Sequence, residues 1–179
     1  MNYKIRWMTK SDMDSVVQIE EKSFPKPWRK KDFIDCLQVT GKIGKVIEKN
    51  NKIIGFIIYE LLQKGFYVIN VAIDPDYRRC GYGKALLSQL IEKIKHSTDD
   101  ADHSKRYYVN AYISEDKYEA HLFFRSMNFK AISVEKNFFN DEDGDFDAYH
   151  FVYKLSEPKN QYKYASNSLT HDKKMEGIE

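Results

Sequence analysis

The stretch DPDYRRCGYGKALLSQLIEKIK, residues 74–95, contains the turn that decides the fold. An apolar run at 66–73 ends before it, and a helical pattern of apolar residues follows it. Gly81 and Gly83 lie between the two, next to two arginines and a lysine. A strand, a glycine turn and a helix together present free backbone N–H groups and the positive end of a helix dipole at one point. The turn is therefore predicted to bind a pyrophosphate.

Two other nucleotide-binding motifs fail on their spacing. A P-loop requires four residues between its glycines and then Lys-Ser/Thr, and GYGKAL (81–86) has neither feature. A dinucleotide-binding fingerprint requires a third glycine at the position of Leu86, and it belongs to the first strand–helix unit of its fold. A bare GxG also occurs in strand-to-helix loops that bind nothing, so the prediction needs support from the rest of the chain.

Length and composition indicate one globular domain. A chain of 179 residues suits a single core, and a hydrophobic fraction of 42%, with 13 Tyr and 11 Phe, can fill it. We expect this domain to span residues 1–155 and the polar segment 156–179 to be a disordered tail. A formal net charge of +2 disfavours a nucleic-acid or membrane partner, although the basic stretches WRKK and YRR leave nucleic-acid binding as a weaker alternative.

The cysteines and acidic residues form neither a disulfide framework nor a metal motif. Cys36 and Cys80 match no CxxC spacing, and the N-terminus has no apolar signal segment, so we expect a cytoplasmic protein. The acidic run NDEDGDFD (140–147) alternates aspartates as a calcium loop does, but Phe146 occupies the position that requires glycine. No metal site is predicted.

Hydrophobic periodicity predicts the order strand, two helices, three strands, helix, strand, helix, two strands. The expected strands lie at 3–8, in a hairpin at 42–62 that turns at Asn50 and Asn51, and at 66–73, 106–113, 129–139 and 146–155. The expected helices lie at 11–24, around Phe33 and Leu37, at 82–96 and at 114–127, with Ser114 as the N-cap of the last.

The glycine turn resembles the acetyl-CoA motif of the GCN5-related N-acetyltransferase (GNAT) family, Arg/Gln-x-x-Gly-x-Gly/Ala, matched by Arg78, Gly81 and Gly83. The resemblance covers about residues 3–155 and is strongest to the ribosomal-protein alanine N-acetyltransferase branch. SFPKPW (23–28) and LFFRSMNF (122–129) fall where that branch has a Phe-Pro-Trp turn and a Tyr-x-x-Leu-Gly-Phe helix end. It implies a single α/β domain with a mixed central sheet of about seven strands, splayed between the fourth and fifth, and about four flanking helices.

The resemblance also implies acetyl-CoA as the cofactor and the residues that bind it. In the family the strand before the turn pairs with the pantetheine arm, and the backbone of the turn binds the pyrophosphate. The corresponding residues are Val71, Ala72 and Ile73 in the strand, and Arg79, Cys80, Gly81, Tyr82, Gly83 and Lys84 in the turn. Because these contacts use the backbone, Cys80 and Tyr82 need no special side chain.

The catalytic positions depart from those of the branch that the chain resembles. Its glutamate base corresponds to Tyr112, its tyrosine acid to Phe124 and its cofactor-binding asparagine to Lys117. Another branch of N-terminal acetyltransferases holds a water with tyrosine and histidine at the positions of Tyr67 and Tyr112. These two tyrosines are therefore the candidate catalytic pair, and the alternative is that both are packing aromatics.

The resemblance and the energetics of amines together indicate the substrate. Deprotonation at pH 7 costs about 4.6 kcal/mol for a lysine and about 1 kcal/mol for an α-amine. A site without an evident carboxylate base suits the α-amine, so we expect a protein or peptide N-terminus as the acceptor. A catalytically silent acyl-CoA-binding module and an acetyltransferase for a small-molecule amine stay open. Glu115, Tyr118 and His121 are further candidates for the acid or base.

Overall fold

A computed structural model describes residues 2–96, 106–141 and 144–155 of the chain. The strands are β1 (Lys4–Trp7), β2 (Lys42–Lys49), β3 (Lys52–Leu61), β4 (Gly65–Ile73), β5 (Tyr108–Ser114), β6 (Lys130–Asp141) and β7 (Gly144–Lys154). The helices are α1 (Met13–Ser23), α2 (Lys30–Gln38), α3 (Tyr82–His96) and α4 (Tyr118–Ser126), with 3₁₀ turns at Lys10–Asp12 and Pro75–Tyr77. The predicted tail, 156–179, lies outside the described residues.

The seven strands form one sheet in the order β1-β2-β3-β4-β5-β7-β6. Every neighbouring pair is antiparallel except β4 and β5, which run parallel. Val16 of α1 and Phe33 of α2 pack on one face of the sheet, whereas Leu87 of α3 and Phe124 of α4 pack on the other. The expected α/β domain with a mixed seven-stranded sheet and four helices is confirmed.

The parallel strands β4 and β5 pair over only part of their length. Their register runs from Gly65 opposite Tyr108 to Val68 opposite Ala111 and ends there, although β4 continues to Ile73. A register shift against β3 leaves one extra residue of β4 between Val68 and Asn70, and such bulges increase the local twist of a strand. The sheet therefore splays between its fourth and fifth strands, as expected.

Local sequence accounts for the hairpin but not for the start of α4. Asn50 and Asn51 both adopt left-handed backbone, φ 50° and 59°, which a tight two-residue hairpin requires. Ser114 was expected to cap the last helix, and this prediction is wrong. Ser114 ends β5, its hydroxyl donates to the carboxylate of Asp116 at 2.6 Å, and the helix begins at Tyr118.

Asp12 fixes the start of α1 against the sheet. Its carboxylate accepts two hydrogen bonds of 2.8 Å from the guanidinium of Arg6, and two more from the backbone N–H and hydroxyl of Thr9. The guanidinium of Arg6 is also bonded to Glu48 of β2 at 2.7 Å. The bonds from Arg6, which outweigh the effect of burial, lower the pKa of Asp12 to about 2.

We predict that Asp12→Asn lowers the free energy of unfolding by about 2 kcal/mol at pH 7, because the amide loses the ionic bonds. The pKa of Asp12 is lowered from 3.8 in the folded state. Its stabilisation is therefore complete above about pH 4 and disappears as the pH falls towards about 2. Thermal unfolding of the wild type and of Asp12→Asn should show a difference in the free energy of unfolding at pH 7. This difference should become smaller as the pH falls from about 4 towards about 2.

The control for this measurement is Asp14→Asn, which removes an exposed carboxylate from the first turn of α1. Asp14 is paired with Lys30 at 2.7 Å, and both side chains are more than half exposed. Exposed ion pairs contribute about 0 to 1 kcal/mol, so we expect little change in stability at either pH. A destabilisation by Asp12→Asn that is equal at pH 7 and in acid would contradict the prediction.

Candidate active site

The turn between β4 and α3 is fixed by the buried Asp74. Its backbone N–H donates to the carbonyl of Ile54 at 3.0 Å. Its carboxylate accepts from the N–H of Asp76 at 3.1 Å and from the ammonium of Lys22 at 3.2 Å. These bonds tie the turn to β3 and to α1, so the loop that follows starts from a fixed point.

The loop from Arg78 to Gly81 contains two residues with left-handed backbone. Arg79 has φ 61° and Gly81 has φ 82°, a region that only glycine adopts without steric cost. A Cβ placed on Gly81 would meet no other atom of the described chain within 4 Å. Gly81 is therefore required by its backbone conformation, and the space beside it is open to a ligand.

The first turn of α3 has the electrostatics of an anion site. It contains no acidic residue, and the first N–H groups of a helix have no partner within the helix. The exposed side chains of Arg79 and Lys84 add positive charge on either side. Free N–H groups, the helix dipole and two cations together favour a phosphate group, so these residues fit the pyrophosphate that the sequence predicts.

Arg78 and Gly83 stabilise the surroundings of the loop. The guanidinium of Arg78 donates to the carbonyl of Ile73 and to the hydroxyl of Ser23, both at 3.0 Å, and so joins β4 to the end of α1. A Cβ on Gly83 would lie 3.4 Å from the ring of Phe123. Gly83 therefore lets α3 and α4 approach each other closely.

A cleft of about 790 Å³ lies between the end of β4, the start of α3 and α4. Eight of the nine residues predicted to bind the cofactor line it: Val71, Ala72, Ile73, Arg79, Gly81, Tyr82, Gly83 and Lys84. The ninth, Cys80, is an exposed free thiol in the same loop. Tyr118, Leu122 and Phe123 of α4 line the opposite side. The cleft thus joins a basic end to a largely apolar channel beside β4.

The two candidate catalytic tyrosines lie side by side on the other face of the sheet. Their neighbours Val68 and Ala111 pack against α3, and alternation along a strand directs Tyr67 and Tyr112 the opposite way. Their ring centroids are 5.9 Å apart, with the planes at 75°. Burial raises the pKa of Tyr67, and Tyr112 and Glu60 add to this effect, so its hydroxyl stays protonated at neutral pH.

Tyr112 is enclosed by two further rings from β6 and β7. Phe138 stacks on it at 4.5 Å and 13°, and His150 stacks on it at 4.4 Å and 11°. Tyr67, Tyr112, Phe138 and His150 together are called the ring cluster below. The ring cluster borders the point at which β4 and β5 stop pairing, because Tyr67 precedes Val68 and Tyr112 follows Ala111.

A buried carboxylate between α1 and β4 is not among the residues that the sequence predicts. Glu20 of α1 is 2% exposed and accepts from the backbone N–H of Trp28 and from the side-chain amide of Asn70 on β4, at 3.1 Å each. Burial raises its pKa, although these two bonds oppose the effect. Glu20 therefore positions the α1–α2 turn against β4. In the sequence, Glu20 lies in the apolar stripe of α1, four residues after Val16, and this spacing could have indicated that it is buried.

The three other candidates for the acid or base are either hydrogen-bonded to the backbone or exposed at the start of α4. His121 shares a hydrogen bond of 2.9 Å with the carbonyl of Ser114 and packs against Phe151 on the α3 and α4 side of the sheet. Glu115 accepts from the backbone N–H of Asp147 at 3.2 Å. Tyr118 lies 76% exposed at the start of α4. The structure does not bring these three residues to the ring cluster.

A model of the acetyltransferase (GNAT) family matches residues 13–129, which include α1, the glycine turn, the cleft and α4. The chain belongs to the GNAT family. It is accordingly an acetyl-CoA-dependent N-acetyltransferase, because GNAT enzymes transfer the acetyl group of acetyl-CoA to an amine. The cleft beside β4 contains the residues that fit this cofactor.

The chain is similar to curated GNAT enzymes along most of their length. It is 26% identical over 140 residues to the ribosomal protein bS18-alanine N-acetyltransferase of Escherichia coli, covering 77% of this chain and 88% of that protein. It is 23% identical over 162 residues to an N-alpha-acetyltransferase of Sulfolobus acidocaldarius, covering 83% of this chain and 90% of that protein.

Solved structures share the fold. The ribosomal-protein-S18-alanine N-acetyltransferase of Escherichia coli superposes with a TM-score of 0.74 at 23% identity, covering 89% of this chain and 98% of that one. Arabidopsis thaliana NAA60 in complex with a bisubstrate analogue superposes with a TM-score of 0.68 at 19% identity, covering 86% and 98%.

Two residues at the end of the cleft differ from those of the ribosomal-protein alanine N-acetyltransferase branch, which this GNAT enzyme resembles. Phe124, at the position of the acid, is 1% exposed and packs edge-on against Phe129 at 5.1 Å, so an apolar ring replaces a hydroxyl. Lys117, at the position of the asparagine, is paired with the carboxylate of Asp116, and both line the cleft. Phe124 therefore has no hydroxyl with which to donate a proton.

The described residues contain neither a metal cluster nor a membrane span. No group of three or more His, Cys, Asp or Glu side chains among residues 2–96, 106–141 and 144–155 is placed to hold a metal ion. Within the same ranges, no helix combines the length and the apolar character that crossing a membrane requires.

We predict that Gly81→Ala weakens acetyl-CoA binding about tenfold, which corresponds to about 1.4 kcal/mol. The substitution strains a left-handed position and places a methyl group in the open space beside the loop. Calorimetric titration with acetyl-CoA measures the change. Gly41→Ala is the matched control, since Gly41 has φ 90° and lies outside the cleft. The Gly41→Ala variant should lose a similar amount of stability and bind acetyl-CoA with normal affinity. An equal loss of acetyl-CoA affinity in both variants would contradict the prediction.

Proposed function

We propose that this enzyme acetylates the N-terminal α-amine of a protein or peptide. The observation that carries the proposal is the pair Tyr67 and Tyr112 at the point where β4 and β5 separate. The cleft proposed for acetyl-CoA lies on one side of this separation and the ring cluster on the other. An acetyl group in the cleft and an amine beside the ring cluster can meet through the gap between the two strands.

The chemistry of the ring cluster suits an α-amine better than a lysine. At pH 7 an α-amine loses its proton for about 1 kcal/mol, whereas a lysine requires about 4.6 kcal/mol. Tyr112 stands where the ribosomal-protein branch has a glutamate base, and the carboxylate of Glu20 is occupied by hydrogen bonds from Trp28 and Asn70. A site with weak bases favours the amine that is easier to deprotonate. The names of both curated relatives also support N-terminal acetylation.

The proposed roles divide between backbone and side chains. The backbone of Val71, Ala72 and Ile73 holds the pantetheine arm, and Arg79, Cys80, Gly81, Tyr82, Gly83 and Lys84 hold the pyrophosphate. When bound, acetyl-CoA supplies an acetyl group that is activated as a thioester. Tyr67 and Tyr112 hold a water that carries a proton away from the amine, because two protonated phenols can orient a water without being ionised.

The acceptor peptide is proposed to lie across the outer face of β6 and the α1–α2 turn. In the ribosomal-protein alanine N-acetyltransferase branch, which the chain resembles, three consecutive residues line the peptide groove. The corresponding residues are Asn137, Phe138 and Phe139. Phe138 is 43% exposed and Phe139 is 36% exposed, so both offer apolar surface to a peptide. Glu20 fixes the α1–α2 turn through Trp28.

A peptide library separates this function from the alternatives. The enzyme is incubated with acetyl-CoA and peptides that differ in their first residues, and thiol release is followed together with peptide mass. We predict that peptides with free N-termini gain one acetyl group and that the same peptides blocked at the N-terminus do not. Acetyl-CoA binding without thiol release would favour a catalytically silent acyl-CoA-binding module. Phe124, which lacks the hydroxyl of an acid, is the residue that supports this alternative. Turnover only on small amines would favour the other alternative.

We predict that Tyr67→Phe and Tyr112→Phe each lower turnover at pH 7 by up to about sevenfold with little change in acetyl-CoA affinity, since each removes one partner of the relay water and only about one in seven α-amines is then already deprotonated. Steady-state kinetics and calorimetric titration measure the two quantities. Tyr108→Phe is the control, because Tyr108 lies on β5 four residues before Tyr112 and at the paired end of the strand. Unchanged turnover in both tyrosine variants would remove the pair from the mechanism.

A further inference from the structure

The ring cluster contains one group that accepts a proton at neutral pH. A protonated phenol is a proton donor and not a base, and burial raises the pKa of Tyr67, so Tyr67 does not serve as a base. Glu20 and His121 are held by the hydrogen bonds described above. The imidazole of His150 is the remaining basic group of the ring cluster.

His150 lies directly opposite Tyr112 in the ladder of β5 and β7. Its ring is parallel to that of Tyr112 at 4.4 Å. Its Nε2 atom is enclosed and has no hydrogen-bond partner within the described chain, whereas the residue as a whole is only half-buried. A neutral imidazole carries one N–H and one lone pair. Nε2 is therefore a ring nitrogen to which no described residue is hydrogen-bonded, whereas most buried polar atoms have a partner.

The groups around His150 support both of its charge states. Tyr112 faces it from β5, and Ser133 and Glu135 lie beside it on β6. Burial lowers the pKa of His150, and the charge of Glu135 opposes this effect, so the imidazole is neutral at pH 7. Once protonated, the ring lies over the face of Tyr112, where a cation–π interaction stabilises the imidazolium.

We propose that His150 accepts the proton that the acceptor amine must lose. This inference rests on the proposed function. The first proton of the ammonium group passes through the water held by Tyr67 and Tyr112 to the imidazole. The freed amine forms a C–N bond to the acetyl carbon as the C–S bond of the thioester breaks and its electron pair goes to sulfur. The second amine proton goes to sulfur and gives the free thiol, and His150 then releases its proton to solvent.

The pH dependence of kcat tests this assignment. The substitution His150→Phe keeps a stacked ring and removes the titrating nitrogen. We expect kcat to fall about sevenfold at pH 7, because only about one in seven α-amines with a pKa of about 7.8 is deprotonated there without a base. The acid limb of the kcat profile should move from below about 6.5 in the wild type to near the pKa of the α-amine, about 7.8, in the variant. Above this pH the amine deprotonates unaided, so the two proteins should converge, which a purely structural defect would not produce.

A second variant and a spectroscopic measurement complete the test. His150→Gln should show the same shifted limb, and His96→Phe, which removes an exposed imidazole at the end of α3, should keep the wild-type profile. In the wild type, the His150 ring protons should titrate by NMR with a pKa below about 6.5. A titration at or above that value would overturn the inference.

The outcomes distinguish this inference from the proposed function. Peptide acetylation by the wild type, together with an unshifted acid limb in both His150 variants, would overturn the role of His150 alone. A wild type that binds acetyl-CoA and never releases thiol would overturn the proposed function and the role of His150 together.

Discussion

The site depends on the loss of pairing between β4 and β5 after Val68 and Ala111. Two neighbouring strands normally satisfy each other's backbone groups, and a strand that loses its neighbour must pair its N–H and C=O groups elsewhere. β3 holds β4 on one side and β7 holds β5 on the other, over the full length of β5. The two halves of the sheet therefore stay apart, and the free edge of β4 faces a cleft in which a linear ligand with amide groups can take the place of a strand.

The glycine turn is the second element on which the site depends, beside the separation of β4 from β5. β4 leads directly into it, so the edge that faces the cleft and the N-terminus of α3 are separated by a fixed distance. Asp74 and Arg78 both act on this junction, the first by binding Lys22 and the second by binding Ser23, and both therefore attach it to α1. A cofactor with an anionic group at one end and amides along its length matches this arrangement of charge and backbone.

The strand, the glycine turn and the helix that line the cleft could be predicted from the sequence because their determinants are local. The apolar strand, the two glycines and the amphipathic helix are consecutive, and each follows from periodicity or backbone freedom. The ring cluster could not be predicted in this way. Phe138 and His150 reach Tyr112 only through the register of β6 and β7, which shifts after Ala131 and again after Glu135.

Other misses have equally specific causes. Ser114 has the composition of an N-cap, but its hydroxyl is bonded to Asp116 and the chain makes one more turn before α4 begins. Glu20 lies on the apolar stripe of α1, where a charged residue suggests an exposed face until the amide of Asn70 is found opposite it. A local hydrogen bond decides the case of Ser114, whereas a tertiary partner decides the case of Glu20, and a tertiary partner has no signature in the neighbouring sequence.

A crystal structure of the enzyme with acetyl-CoA would be the decisive measurement. The diphosphate should lie within about 3 Å of the backbone N–H groups of residues 79–84, and the acetyl group should lie in the cleft at the gap between β4 and β5. A cofactor bound elsewhere, or bound with its diphosphate away from the N-terminus of α3, would contradict the role assigned to the glycine turn and to the split in the sheet.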